Sequence, residues 1–324
     1  MRTLVIGGTG FIGVNLVVLL ASRGDDVGVY HRPATSLANL AHVNFRSMPG
    51  ELNEEDKLKQ AIAGCDVVYN LAACPSSLKK DEEQRNAINV FAPRLIARLT
   101  KEAKARLVHV SSIATVGPPA AGEIADETFI FNNHKDAYAL SKHLGDKEVA
   151  KEVALGLDAV TVCPGNVVGG RAMKQEQKNK FQAIADGKMK IYPPGGVCLT
   201  DVDDLVMGMV LAAQKGKAGS CYILGGHNVT FKEYFGHVAT VTGSDKPWIR
   251  LPSLLLPLAG LGFEILFSFL KSDPPLNRIS GEMVSKNLYY SSQLAISELG
   301  YEVGDWKNAL QKAVQGANIV CKAN

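Results

Sequence analysis

Short apolar runs and amphipathic stretches alternate through the first two thirds of the chain. Residues 3–8 (TLVIGG) form an apolar run that ends in glycines, which predicts a strand. Residues 11–24 carry apolar positions at helical spacing and stop at Gly24. The same alternation predicts strands over 25–31, 42–48, 65–73, 106–112 and 157–164, and helices over 53–64, 81–103 and 135–154, the second interrupted near Pro93. The run 65–73 is continuously apolar, as a parallel strand buried on both faces must be. After Pro164 the rhythm breaks. Residues 165–200 are rich in Gly, Lys and Gln, 201–216 read as a helix, 220–226 as a late strand, and 227–324 as mainly helical. Strands alternating with helices predict an α/β, doubly wound parallel sheet with a smaller, mainly helical C-terminal part. We expect residues 1–164 to form the sheet domain, with 190–226 returning to it, and 165–324 to form the substrate-binding part.

The chain has 324 residues, ample for a large core without disulfides or metals. With 46% apolar and 21% charged residues it reads as globular. The formal charge of +3 gives no electrostatic reason to expect nucleic acid as a partner. Six cysteines lie scattered without metal-ligand spacing, so no metal site is expected and a reducing, cytoplasmic setting is. No secretory signal is read at the N-terminus. The stretch Leu251–Leu270 is mostly apolar but holds Glu264, Pro252 and Pro257. It is a poor membrane span and reads as one wall or lid of an apolar substrate pocket, part of it resting against a bilayer surface or a second subunit, with a helix that fills the core of the small part as the plain alternative.

Gly7, Gly10 and Gly13 spell GxxGxxG between the first strand and the first helix. There, glycines permit a tight turn, a close approach of backbone to pyrophosphate and tight helix–strand packing, while the helix start offers free N–H groups. A glycine-rich turn with no ligand is the plain alternative. The tip of the second strand reads Tyr30-His31-Arg32 and carries no acid to receive ribose hydroxyls. Arg32 can grip a 2′-phosphate as a charged fork with help from His31, which favours NADP over NAD, unless it is simply a solvated arginine. Tyr138 and Lys142 sit at i and i+4 on a predicted helix, so phenol and ammonium share a face. A nearby ammonium lowers a phenol's pKa toward useful acid/base chemistry, although such a pair also occurs on exposed helix faces. Ser112 ends the fifth predicted strand, where its hydroxyl can bind a substrate oxygen beside the tyrosine. His109, within that strand, reads as a packing residue.

The combination GGTGFIG, NLAA (70–73), Asn89-Val90, VSSIATVG (110–117), YALSK (138–142) and CPGNVVGG (163–170) resembles the extended short-chain dehydrogenase/reductase (NAD-dependent epimerase/dehydratase) family over nearly the whole chain. Within it, SSIATVGPP and HRPATS resemble the 3-beta-hydroxysteroid dehydrogenase and dihydroflavonol reductase branch. The resemblance implies a Rossmann domain and a catalytic triad of Ser112, Tyr138 and Lys142. It further implies cofactor contacts at Gly7, Gly10, Phe11, Ile12, Gly13, His31, Arg32, Leu71, Ala72, Ala73, Tyr138, Lys142 and Pro164, with Asn89 as the family's helix asparagine. Two departures stand out: Glu51 replaces the usual Asp near the adenine, and Phe91-Ala92-Pro93 displaces a usual Gly-Thr. Three readings follow. The leading one is an NADP-dependent reductase or dehydrogenase of a hydrophobic ketone or alcohol, with Tyr138 as acid/base. The second is a nucleotide-sugar epimerase or dehydratase holding NAD. The third is a cofactor-binding sensor without catalysis.

Overall fold

In the computed structural model, seven strands form one sheet in the order β10-β6-β5-β4-β1-β2-β3, with every neighbouring pair parallel. They are β1 (Arg2–Ile6), β2 (Asp26–His31), β3 (Arg46–Pro49), β4 (Val67–Asn70), β5 (Arg106–Val110), β6 (Ala159–Pro164) and β10 (Cys221–Leu224). The structure describes residues 1–256, 258, 260–261 and 278–319. Strand residues alternate between the two faces. Val5, Val29, Tyr69, Val108 and Val160 join one core with helices α1 (Phe11–Ser22) and α7 (Val202–Lys215). Leu4, Ile6, Val68 and Leu107 join the opposite core with α2 (Glu55–Ile62), α4 (Ala92–Glu102) and α5 (Ala137–Ala154). Covering a parallel sheet on both faces makes it doubly wound, and the strand order reverses between β1 and β4. A crevice therefore opens there, outside the carboxyl ends of the strands.

The helix expected over 81–103 is irregular just before Pro93, as its sequence suggests: a proline cannot donate to the carbonyl four residues back, here that of Asn89, and its ring crowds that carbonyl. After α3 (Glu82–Asn86), residues Ala87–Phe91 form a π turn. Helix α5 presses on this turn: a Cβ at Gly145 would lie 2.1 Å from the Asn89 carbonyl oxygen.

The C-terminal part holds more strand than its sequence suggested. Strand β9 (Gly196–Asp201) pairs with β7 (Asn166–Val168), β11 (His227–Thr230) and β13 (Asn287–Leu288). A second, two-stranded sheet joins β8 (Ile191–Tyr192) to β12 (Ile249–Arg250). Of the stretch 190–226, α7 and β10 join the large sheet's layers, whereas β8 and β9 do not. A separate apolar core binds α6 (Gln175–Ala185), α8 (Phe231–Thr242), β9 and the helix Trp306–Gly316. This block stands over the carboxyl edge of the sheet. Of the apolar stretch 251–270, residues 257, 259 and 262–270 lie outside the described residues. Among the described residues no helix is long and apolar enough to cross a membrane.

Candidate active site

Two adjoining cavities fill the crevice, of about 470 and 380 Å³, and they share Gly7, Gly10, Leu71, Ala73 and Pro75. The glycine loop explains that continuity. Gly7 has φ +82°, and a Cβ there would meet the Ala72 amide nitrogen at 2.9 Å, so the loop after β4 packs against bare backbone. A Cβ at Gly13 would lie 2.3 Å from the Gly7 oxygen, so only glycine lets α1 start this close to the turn. Gly10 caps α1 without a side chain, which leaves the amides of its first turn facing the crevice. An anionic group placed there meets free N–H donors and the positive end of the helix dipole.

The smaller cavity lies over the tips of β2 and β3, with His31, Arg32, Thr35, Gly50, Leu52 and Ala72 in its wall. His31 is buried and pinned: its Nε2 lies 2.8 Å from Ser47 Oγ and its Nδ1 2.9 Å from the Arg32 carbonyl oxygen. Arg32 is exposed, and its guanidinium makes no hydrogen bond or ion pair among the described residues. Tyr30 donates to the Glu51 carbonyl oxygen at 2.8 Å, which fixes the turn after β3, and Glu51 does not line the cavity.

The larger cavity brings together the residues that the sequence singled out for chemistry. Phe11, Ile12, Gly13, Ser112, Tyr138 and Pro164 line it. Ser112 leaves β5 in an extended conformation, and its Oγ caps the following turn by accepting from the Ala114 amide at 3.1 Å. Ser112 and Tyr138 line the same cavity. Burial pushes the Tyr138 hydroxyl up to about 12, and the Ser112 hydroxyl opposes that rise by favouring the phenolate. Asp136 caps α5 through the amides of Tyr138 and Ala139 and so fixes where the tyrosine starts. Lys142, one turn on, is 1% exposed and donates to the Val110 carbonyl oxygen at 2.8 Å. It lies beneath the cavity wall instead of in it. Burial lowers the Lys142 ammonium's pKa, with Asp146 pulling the other way.

The residues expected from the sequence thus fall around one continuous crevice, Lys142 just below its surface. Asn89 does not line it. Its side chain donates to the Cys74 carbonyl and to Ser141 Oγ and accepts from the Cys74 amide, tying the loop after β4 to α5. Sequence reasoning passed over two groups. One is the far wall of the larger cavity, where Asn166, Lys174, Gln177, Lys180 and Tyr234 face the tyrosine from the C-terminal part. The other is Asp146, whose carboxylate bridges His109 and Ser111. Its spacing, four residues past Lys142 and eight past Tyr138, was readable as a third residue on the same helix face.

The model of the NAD dependent epimerase/dehydratase family matches residues 3–225. A putative dihydroflavonol 4-reductase of Synechocystis is 32% identical over 319 residues, covering 96% of this chain and 92% of that one. A 3-beta-hydroxysteroid dehydrogenase of Mycolicibacterium neoaurum is 26% identical, covering 93% and 87%. Among solved structures, that of gox2253 superimposes with a TM-score of 0.86 at 30% identity over 97% of both chains.

Proposed function

This chain belongs to the NAD-dependent epimerase/dehydratase family, an oxidoreductase fold built on a nicotinamide dinucleotide, and from that premise we propose that it is an NADP-dependent carbonyl reductase/alcohol dehydrogenase acting on a hydrophobic ketone or alcohol. The observation that carries the reading is the wall of the larger cavity, which brings Ser112 and Tyr138 together with Phe11, Ile12 and Gly13 of the glycine loop, while Lys142 is hydrogen-bonded to Val110 of that same wall. The cofactor's diphosphate would lie on the amides at the start of α1, its adenosine end in the His31–Arg32 cavity and its nicotinamide beside Tyr138. When bound it supplies the hydride. The chain supplies orientation and a proton: Ser112 holds the substrate oxygen, Tyr138 gives that oxygen its proton in reduction, and Lys142 keeps positive charge near the phenol. The ionised tyrosine costs less when a cation lies close, which offsets the burial that raises its pKa.

Unpartnered Arg32 and the absence of an acid at the tip of β2 support NADP. The relative named for a hydroxysteroid supports an apolar substrate. The exposed apolar residues Trp248, Leu254 and Leu258, none of which lines either cavity, suit contact with a bilayer surface or a second subunit. One observation favours the second reading. Asn166, Lys174, Gln177 and Lys180 give the far wall of the cavity a polar stretch that could hold a sugar nucleotide. Assay of the purified protein with NADPH and NADH, against steroidal, polycyclic and long-chain ketones, separates the two. Turnover with NADPH is the expected result. Tightly held NAD in the purified protein, with conversion of a sugar nucleotide and no ketone reduced, would replace the first reading with the second.

A further inference from the structure

The end of β5 is fastened to α5 by three successive residues. His109 Nε2 lies 3.1 Å from Asp146 Oδ1, the Val110 carbonyl accepts from Lys142 Nζ at 2.8 Å, and Ser111 Oγ donates to Asp146 Oδ2 at 2.6 Å. Ser112, which lines the larger cavity with Tyr138, is the next residue in the chain. The two side chains on one strand face reach one carboxylate, and the carbonyl between them reaches the lysine a turn earlier. His109 is fully buried, and Asn70 Nδ2 stands 3.3 Å from its Nδ1. The Asn70 Oδ1 already accepts from the Ala72 amide, so its Nδ2 donates to the ring. The imidazole is then neutral with its proton on Nε2, aimed at Asp146. Ser111 is further tied to Thr115 at 3.2 Å.

We propose that Asp146 is a positioning residue for the catalytic triad, its carboxylate locking the strand end that presents Ser112 to the helix that presents Tyr138 and Lys142, and placing a negative charge on the same helix face as that pair. The proposal rests on the reading of Ser112, Tyr138 and Lys142 as the reacting set. Its geometric half follows from the contacts, because a carboxylate holding both His109 and Ser111 leaves Ser112 little freedom. Small displacements of a reacting group cost rate steeply.

Its electrostatic half has a definite sign. The charged and titratable groups around the pair are Asp136 and Asp146 on α5, His109 on β5 and Cys163 on β6, with Cys221 on β10 behind Cys163. Burial works against the Asp146 carboxylate, but the His109 ring, the Lys142 ammonium and the Ser111 hydroxyl hold it below the usual carboxylate range. It is therefore ionised at neutral pH. Its charge raises the pKa of both Tyr138 and Lys142. Both effects have the same sign, so removing the charge makes the proton of either group easier to lose.

The test is the pH dependence of ketone reduction by the whole protein with saturating NADPH, for wild type, Asp146→Asn, Asp146→Glu and Tyr138→Phe. Asp146→Asn should lower kcat by about 10- to 100-fold and move the basic limb of the profile to lower pH by about one unit. The affinity for NADPH should hardly change. Asp146→Glu, which keeps the charge, should return the basic limb to its wild-type position. If Asp146→Asn does not fold, Ser111→Ala carries the test: it should lower kcat and leave the limb in place, since the carboxylate stays ionised. An unmoved limb and near-normal kcat in Asp146→Asn, or unchanged kcat in Ser111→Ala, would overturn the proposal while an inactive Tyr138→Phe keeps the triad reading intact. Full activity in Tyr138→Phe would instead remove that reading.

Discussion

Lys142 Nζ donates to the carbonyl oxygen of Val110, 2.8 Å away and two residues before Ser112. A buried ammonium is costly unless its protons find acceptors. Here the acceptor is the backbone of the strand whose next turn carries the serine. The bond couples helix α5 to the substrate end of β5, so the lysine has a structural duty besides its charge. Lys142→Met should lose turnover by orders of magnitude and also lower thermal stability by about 1–3 kcal/mol, because the Val110 carbonyl loses its partner. Melting curves beside a rate assay check this; lost activity with an unchanged melting temperature would show that the bond contributes nothing to stability.

The cofactor preference rests on Arg32. Arg32→Ala should weaken NADPH binding by about 10-fold or more, the worth of a charge-assisted contact, and leave NADH binding nearly unchanged. Fluorescence titration of both reduced cofactors measures it. Equal weakening for the two, or a wild-type preference for NADH, would assign the β2 tip to another task.

Gly13 tests the phosphate cradle. A methyl group at this position lands 2.3 Å from the Gly7 oxygen and 2.7 Å from Gly8 Cα, both backbone atoms that cannot swing away. Gly13→Ala should force α1 off the turn, costing about 1–3 kcal/mol of stability and most of the cofactor affinity. Gly10→Ala meets only the Gly7 oxygen, at 3.4 Å, and should fold normally, so any loss of binding there reports the approach of the cofactor itself.

His109 gives the fold a pH dependence. Burial holds the folded-state pKa of this ring below its ordinary value, so the unfolded chain binds more protons in the interval. Stability from this group is complete above about pH 6.5 and is lost as pH falls below that value, at up to about 1.4 kcal/mol per pH unit, until the folded-state pKa is reached. Melting temperatures between pH 7 and 5 should fall accordingly, and His109→Gln should flatten the slope. A wild-type slope no steeper than the variant's would contradict a neutral, buried ring.

The sheet was readable because its signals are local. Most of the parallel strands are apolar runs, β3 (Arg46–Pro49) being the exception, and several helices stop at a glycine. Gly7, Gly13, Tyr138 and Lys142 stood out because motif spacing maps directly onto backbone geometry. Ser112 was found from its place at a strand end. The small sheet around β9 was missed, since its strands are short and pair across long separations, with β13 joining from nearly ninety residues away in the chain. The irregular turn Ala87–Phe91 was legible near Pro93 because proline is the visible helix breaker, whereas the close approach of Gly145 to the Asn89 carbonyl shows only in the fold. Asp146 was not singled out from the sequence: its spacing puts it on the face of Tyr138 and Lys142, but only the meeting of α5 with β5 shows that its carboxylate turns inward to His109 and Ser111.

The central claim is that Tyr138 delivers the proton as hydride arrives at the carbonyl carbon. Single-turnover oxidation of bound NADPH by a reducible ketone, compared between wild type and Tyr138→Phe, tests it most directly. The account predicts that Tyr138→Phe binds NADPH as tightly as wild type and transfers hydride slower by about 10²- to 10⁴-fold, the usual contribution of a general acid. Hydride transfer in Tyr138→Phe at a rate near that of wild type would contradict it.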